Sequence, residues 1–158
     1  MRVLEKLAKL CAILAGVLLT TITLMTCVSL IGRNFFGATL AGDFELSGIA
    51  AGAAIALFMP WCQVRRGNII VDFFTAKASE RTNAGLDRMG ALLLAGMMGL
   101  LAWRAVLGGL NAYSSNSGTM MLGFPEWVVY TAMVPPLALT AVIGLVQAAR
   151  GFAVEPAQ

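Results

Sequence analysis

The feature that most constrains this chain is a set of long apolar runs without charged residues. Three runs cover residues 10–32, 46–64 and 127–149, and a fourth, at 89–110, contains one charge, Arg104. A helix needs about 20 apolar residues to cross a hydrocarbon core about 30 Å thick, and each run is close to that length. Continuous apolar runs also exclude the alternating pattern of barrel strands. We therefore predict an all-α integral membrane protein with four transmembrane helices.

The predicted spans are residues 10–32, 45–64, 88–110 and 127–149, within a single membrane domain of residues 1–158. The composition agrees, because 59% of the residues are hydrophobic and 12% are charged, whereas soluble domains carry about 25% charged residues. The connections between spans are short, which leaves no room for a soluble module.

The basic residues indicate how the chain is oriented. Nine of the 11 Lys and Arg residues precede the first span, lie between the second and third, or follow the fourth, and only Arg33 and Arg104 do not. Cytoplasmic loops carry the excess of positive charge, so both termini are expected to be cytoplasmic. The net charge of +3 is then a signal of membrane orientation and does not indicate nucleic-acid binding.

Arg33, Asp43, Glu45 and Arg104 are expected to lie at a common depth near the outer interface. The 20 residues from Glu45 to Arg65 cover about 30 Å of helix, which places them at opposite interfaces. One interpretation is that the Arg104 side chain extends to the headgroups and that the other three are solvated. The other is an ion pair between Arg33 and Glu45 that fixes the ends of the first two helices.

Small residues recur every four positions on two spans, at Gly48, Gly52 and Ala56 and again at 91, 95 and 99. Such rows let helix backbones approach closely in lipid, although glycine and alanine are also common in membrane helices in general. Between the second and third spans, apolar residues at 69, 70, 73 and 74 share one helical face. They predict a short amphipathic helix on the cytoplasmic surface, with a polar linker as the alternative.

The residues needed for catalysis are missing. The chain has no histidine, its three cysteines are far apart, and no glycine-rich loop precedes a Lys–Ser or Lys–Thr pair. We therefore predict no catalytic, cofactor or metal site and no enzymatic activity. No charged residue is expected near the middle of a span, where ion relays place theirs, so an ion-coupled transporter acting alone is disfavoured.

Four segments together resemble the small membrane subunit (DctQ-type) of tripartite ATP-independent periplasmic (TRAP) transporters. They are residues 32–37 (GRNFFG), Glu45–Leu46, residues 65–72 (RRGNIIVD) and residues 122–127 (LGFPEW), the last followed by Tyr130 and Pro135. Their order and spacing carry the resemblance over most of the chain. Two positions depart from it: Asn68 stands where many members have histidine, and Phe44 where many have a second acidic residue.

The resemblance implies a subunit of the bacterial inner membrane that docks in the phospholipid bilayer on a large membrane subunit holding the substrate and sodium sites. A periplasmic solute-binding protein would deliver an organic acid, and this chain would act as a scaffold. The candidate interface or structural residues are Arg33, Glu45, Gly48, Gly52, Arg65, Arg66, Asp72 and Arg104. The alternatives are a stand-alone four-helix exporter, which is expected to bury a carboxylate within a span, and a membrane assembly factor.

Overall fold

The computed structural model describes residues 2–37, 41–65, 67 and 80–150. They form four helices: α1 (Arg2–Phe36), α2 (Asp43–Val64), α3 (Glu80–Ser114) and α4 (Glu126–Arg150). Each is long and apolar enough to cross a membrane, and the described residues form no β-strand beyond an isolated bridge between Gly118 and Pro125. The prediction of an all-α protein with four membrane-spanning helices is confirmed.

Two helices extend well beyond their predicted spans. α1 and α3 each contain 35 residues, about 52 Å of helix, which exceeds the hydrocarbon thickness of about 30 Å. The extensions include Lys6 and Lys9 at the start of α1, and Asp87 on α3. Charged residues of this kind are compatible with a helix in water, so apolar runs alone do not predict where the helices end.

The helices form a row in the order α1, α2, α4, α3. α2 packs against α1 and α4, and α3 packs against α4, while α1 and α4 touch only slightly. Within the described ranges α3 contacts neither α1 nor α2. The chain therefore consists of two helical hairpins, α1–α2 and α3–α4, that meet through α2 and α4.

The contacts between helices are made mainly by small side chains. Most of the buried apolar residues are alanines, including Ala53, Ala56, Ala95 and Ala141, while large apolar side chains point outward along the helices. On α4, a Cβ added to Gly144 would lie 3.0 Å from the Ala95 Cβ. Close backbone packing with large residues outside is expected in lipid, where burying leucine brings no hydrophobic gain.

The two predicted rows of small residues differ in whether they pack against another helix of this chain. Ala91 and Ala95 are buried, and a Cβ at Gly99 would lie 4.0 Å from the Ala141 Cβ, so the α3 row does pack against α4. Of the three small residues in the α2 row only Ala56 is buried, and a Cβ at Gly48 or Gly52 would meet nothing within 4 Å. The expected close contact is wrong for these two glycines within this chain. Positions four apart rotate by about 40° around a helix, so the row turns away from the packed face.

Candidate functional site

The first turn of α2 binds α1 through Asp43. The buried Ser29 hydroxyl of α1 donates a hydrogen bond to Asp43 Oδ2, and the hydroxyls of Thr26 and Ser47 lie 3.4 Å apart one turn further along. Asp43 Oδ1 also accepts the backbone N–H of Phe44 at 2.7 Å. These bonds fix the two helices of the first hairpin to each other at this end.

Glu45, on the same turn, binds the loop between α3 and α4. Its carboxylate accepts the backbone N–H of Met121 at 2.9 Å and that of Leu122 at 3.3 Å. We call Asp43 and Glu45 the carboxylate pair, and the helix ends nearest to residues 115–125 the loop end. Through the carboxylate pair, one turn of α2 joins α1 to the α3–α4 hairpin.

The α3–α4 loop has a defined backbone that presents these two amides. Thr119 N–H donates to the Phe124 carbonyl at 3.0 Å, Gly123 N–H donates to the Thr119 carbonyl at 3.0 Å, and Phe124 N–H donates to the Thr119 hydroxyl at 3.1 Å. The Leu122 side chain lies over Gly42, whose φ is +78°, and a Cβ at Gly42 would come within 2.4 Å of Leu122 Cγ. Gly42 thus provides both a left-handed backbone and the space that Leu122 occupies.

At the opposite end α2 is joined to α4 by a pair of amide side chains. Gln63 Nε2 donates to Gln147 Oε1 at 2.7 Å, and Gln147 Nε2 donates to the Gln63 carbonyl at 3.0 Å. Both residues are buried, with 4% and 5% of their surface exposed. Two turns of α2 that are about 27 Å apart along the helix, at Glu45 and Gln63, are therefore both tied to the second hairpin.

The proposed ion pair between Arg33 and Glu45 is replaced by other contacts. Arg33 is exposed, and no ion pair is found for it within the described parts of the chain. The carboxylate of Glu45 is instead directed at the loop amides. Arg33 and Glu45 lie at the two helix ends that the first loop connects, but the α3–α4 loop reaches the same point and supplies the donors that Glu45 binds.

Arg104 does not share the depth of Glu45, contrary to the prediction. α3 continues for ten residues beyond it to Ser114, so Arg104 lies about 15 Å from the loop end of the helix. Its side chain is exposed, and it projects about 160° away from the buried Ala102, given 100° per residue. The prediction assumed that α3 ends near residue 110, but polar residues such as Asn111 extend it.

The remaining candidates are only partly described. Arg65 is exposed just after α2, with its guanidinium carbon 4.9 Å from the centre of the Trp61 ring. Arg66, Asp72 and the surface helix expected over residues 69–79 lie outside the described residues. Among the described residues no group of three His, Cys, Asp or Glu side chains could hold a metal ion.

Sequence reasoning missed the polar residues that join the helices. These residues lie within the apolar runs, where their polar side chains do not interrupt the hydrophobic pattern: Thr26, Ser29, Gln63 and Gln147. The available signal was the type of residue, since an amide or hydroxyl inside a membrane helix needs a partner on its own or another helix. Which partner it has depends on helix order, and nothing in the spacing of the runs reveals that α2 lies beside α4.

Comparison with known proteins shows which family this chain belongs to. The family described as tripartite ATP-independent periplasmic transporters, DctQ component, matches residues 22–154. No curated protein and no solved structure matches the chain. The match covers α2, α3 and α4 and the part of α1 from residue 22 onward, and it identifies a transporter component rather than an enzyme. The chain belongs to the DctQ family, the membrane component whose sequence pattern the four segments resembled.

Proposed function

We propose that this chain is the small membrane subunit of a TRAP-type secondary transporter and acts as a rigid scaffold for the large permease subunit. The transporter carries out sodium-coupled uptake of an organic acid that a periplasmic binding protein delivers. The observation that carries the scaffold role is the attachment of α2 at both ends, by the carboxylate pair at one end and by Gln63 and Gln147 at the other. Helices tied in this way resist sliding or tilting past one another.

The distribution of charge supports a chain that does not transport alone. The described helices carry one charged side chain, Arg104, within residues 10–32, 46–64, 89–113 and 127–149, and this side chain is exposed. Ion-coupled transporters place ionisable groups inside the helix bundle or along a water-filled path. On this proposal the sodium and substrate sites belong to the large subunit.

Arg104 is the residue that we propose to contact the large subunit most directly. It lies within the membrane-crossing part of α3, faces away from α4, and makes no ion pair with a described residue. A cation at that depth is costly in lipid unless a partner or a headgroup neutralises it, by about 2.5–3.5 kcal/mol at a helix centre. α3 is the end of the row, so its outward side is open to a neighbouring subunit.

Gly48 and Gly52 form a second proposed contact. They lie four residues apart on α2, and a Cβ on either would meet no atom of the described chain within 4 Å. Small residues at this spacing allow a helix of another protein to approach the backbone closely. We also propose polar contacts with the large subunit at Arg33 and Arg65, which lie at the ends of α1 and α2. Arg66 and Asp72 are proposed as further contacts from the sequence alone.

We propose that both termini are cytoplasmic in the bacterial inner membrane, since Lys and Arg residues cluster on the side of the termini while residues 115–125 carry none. In a chain without native cysteines, an impermeant thiol reagent should label a cysteine at Ser115 from the periplasm. It should label one at Thr82 only after permeabilisation. The reverse pattern would contradict the orientation.

Reconstitution tests the proposed function. Liposomes containing this chain alone should take up no organic acid above empty vesicles, whereas liposomes that also contain the large subunit should do so with the binding protein and a sodium gradient. Uptake by this chain alone would overturn the scaffold role and favour a stand-alone carrier. Uptake by the large subunit alone at an unchanged rate would show that the chain is not a required scaffold.

The contact at Arg104 has its own test in the same preparation. Arg104→Leu should lower the yield of the complex in co-purification without lowering the stability of the isolated chain. Arg88→Leu, which removes an exposed arginine near the other end of α3, serves as the control and should leave the yield unchanged. Equal yields for both variants would mean that Arg104 faces lipid headgroups.

A further inference from the structure

A groove lies between α3 and α4 near their loop end. Its volume is about 410 Å³, and its lining includes Val106, Tyr113, Trp127, Tyr130 and Val134. This volume falls in the range of small-molecule sites, about 300–1,000 Å³. The groove is distinct from the contacts of the carboxylate pair and of Gln63 with Gln147, and it does not include the outward face of Arg104.

The groove is built by aromatic residues packed on glycine. A Cβ at Gly108 would lie 2.9 Å from Tyr130 Cε1, and one at Gly109 would lie 3.0 Å from Tyr130 Cβ, so the tyrosine occupies the space that two missing side chains leave. At the loop end, the rings of Tyr113 and Trp127 meet edge to face, with centroids 5.9 Å apart and an interplanar angle of 84°. These contacts hold the walls in place without filling the space between them.

The lining changes from polar to apolar along the helices. The hydroxyls of Tyr113 and Tyr130 and the indole N–H of Trp127 make no hydrogen bond to another described residue, and Tyr113 and Trp127 are each the second residue from the loop end of their helix. The deeper wall is formed by aliphatic residues such as Val134 and by Pro135. Tyrosine and tryptophan are typical of the level of lipid headgroups, where one end of the side chain is polar.

The length of the groove matches one leaflet. From Trp127 to Pro135 the α4 wall rises by eight residue steps, about 12 Å of helix, and the hydrocarbon of one leaflet is about 15 Å thick, half of the bilayer core. An occupant that is apolar over this length and polar at the level of Tyr113 has the chemistry of a phospholipid. A purely apolar helix of a partner would leave the two hydroxyls and the indole N–H without acceptors.

We propose that this groove is a binding site for an acyl chain of one glycerophospholipid from the leaflet on the loop side. The ester and phosphate oxygens of that lipid accept hydrogen bonds from the Tyr113 and Tyr130 hydroxyls and the Trp127 N–H. The inference requires only that α3 and α4 cross a bilayer, so it stands independently of the transport role proposed above.

Photo-crosslinking tests the site in the full chain, both alone and together with the large subunit. The protein is placed in bilayers of phosphatidylethanolamine and phosphatidylglycerol that contain a trace of phosphatidylcholine with a diazirine on one acyl chain. After irradiation, mass spectrometry of peptides locates the adducts. They should concentrate on residues 105–113 and 127–135, compared with the exposed Leu92 and Leu93 on α3.

Substitutions that fill the groove give the decisive comparison. Val134→Trp should lower the groove adducts by about tenfold, as expected when a bulky side chain occupies a binding pocket. Ala105→Leu fills the same space from α3 and should also lower the groove adducts. It is the test variant if Val134→Trp does not fold. Val142→Trp, on an α4 residue that is 47% exposed and lies outside the groove, is the control and should leave the adducts unchanged.

Three results would overturn the proposal. Adducts in the groove could be no more frequent than at Leu92 and Leu93, which would indicate unspecific lipid contact. The filling variants could leave them unchanged while remaining folded by circular dichroism. In the complex, the diazirine adducts in the groove could disappear while cysteines at Val134 and Val106 become crosslinked to the large subunit, which would make the groove a protein interface.

Discussion

At its loop end α2 is held by two carboxylates, Asp43 and Glu45, whereas at its other end it is held by the uncharged amide of Gln63. Asp43 and Glu45 are only partly buried, while Gln63 and Gln147 expose 4% and 5% of their surface. A charge is tolerated where water or headgroups can reach it, and a buried site requires a neutral group with its hydrogen bonds satisfied. The comparison teaches that one helix uses different chemistry at its two ends to achieve the same attachment.

The two ends should also differ in what they contribute. The buried amide pair stabilises the fold, because leaving a buried polar group unpaired costs more free energy than an intact hydrogen bond contributes. Glu45 mainly fixes the position of the α3–α4 loop, since its partners are the backbone amides of Met121 and Leu122 in an exposed loop. Substitutions at the two ends can therefore test the difference.

The largest effect is expected from Gln147→Leu. It removes the acceptor of Gln63 Nε2 and the donor to the Gln63 carbonyl, so the free energy of unfolding should fall by about 1–2 kcal/mol. Reversible unfolding in mixed detergent micelles measures it. Gln63→Leu combined with Gln147→Leu should cost less than the sum of the single changes, and additive costs would show that the two amides are not coupled.

A smaller loss is expected at the loop end from Gly42→Ala. Its φ of +78° is unfavourable for alanine, and the new Cβ would collide with Leu122. A left-handed backbone costs about 1–2 kcal/mol before relaxation, and the exposed loop can shift to relieve most of this strain and the collision, so the free energy of unfolding should fall by less than about 1 kcal/mol. Thermal unfolding measures the loss.

Gly48→Ala is the matched control for Gly42→Ala, because Gly48 is helical and its Cβ would meet no atom within 4 Å. It should raise stability slightly, by less than about 1 kcal/mol. Similar losses for the two variants would contradict the assigned role of Gly42.

The smallest effect on global stability is expected from Glu45→Ala, which should act locally. Hydrogen exchange at the Met121 and Leu122 amides should become faster, because both lose their acceptor. Glu45→Gln keeps one carbonyl acceptor and should give an intermediate rate.

The charge swap Arg33→Glu with Glu45→Arg should not restore slow exchange at these amides, since arginine has no acceptor for a backbone N–H. If the swap did restore slow exchange, it would support an ion pair between Arg33 and Glu45.

The sequence predicts the helices better than it predicts the contacts between them. The four spans follow from apolar runs, because a bilayer imposes length and composition on each segment independently. The row order of the helices does not follow, since Ala53, Ala95 and Gly48 are all small residues in apolar runs and only the fold separates the buried from the open ones.

The residues of the candidate site could be predicted only in part from the sequence, for the same reason. Glu45 was singled out by its position at the start of a span, but its partners lie 76 and 77 residues away in a loop whose backbone direction depends on Gly123 and Thr119. Arg104 was placed at the wrong depth because polar residues continue α3 beyond the apolar run. Contacts that join distant segments depend on tertiary geometry, which spacing along the chain does not encode.

The central claim, that the helices of this chain do not move against one another during transport, can be tested with one disulfide. A Cβ at position 99 lies 4.0 Å from the Ala141 Cβ, within the range of about 3.5–4.5 Å that a disulfide requires. Gly99→Cys with Ala141→Cys, in a chain whose native cysteines are replaced, therefore links α3 to α4. Mass spectrometry confirms that the bond has formed.

In proteoliposomes with the large subunit, the binding protein and a sodium gradient, the account predicts the same initial rate of uptake for the oxidised and the reduced protein. A rate that falls on oxidation and returns when the disulfide is reduced would contradict it, because it would show that α3 and α4 must separate or slide for transport to occur.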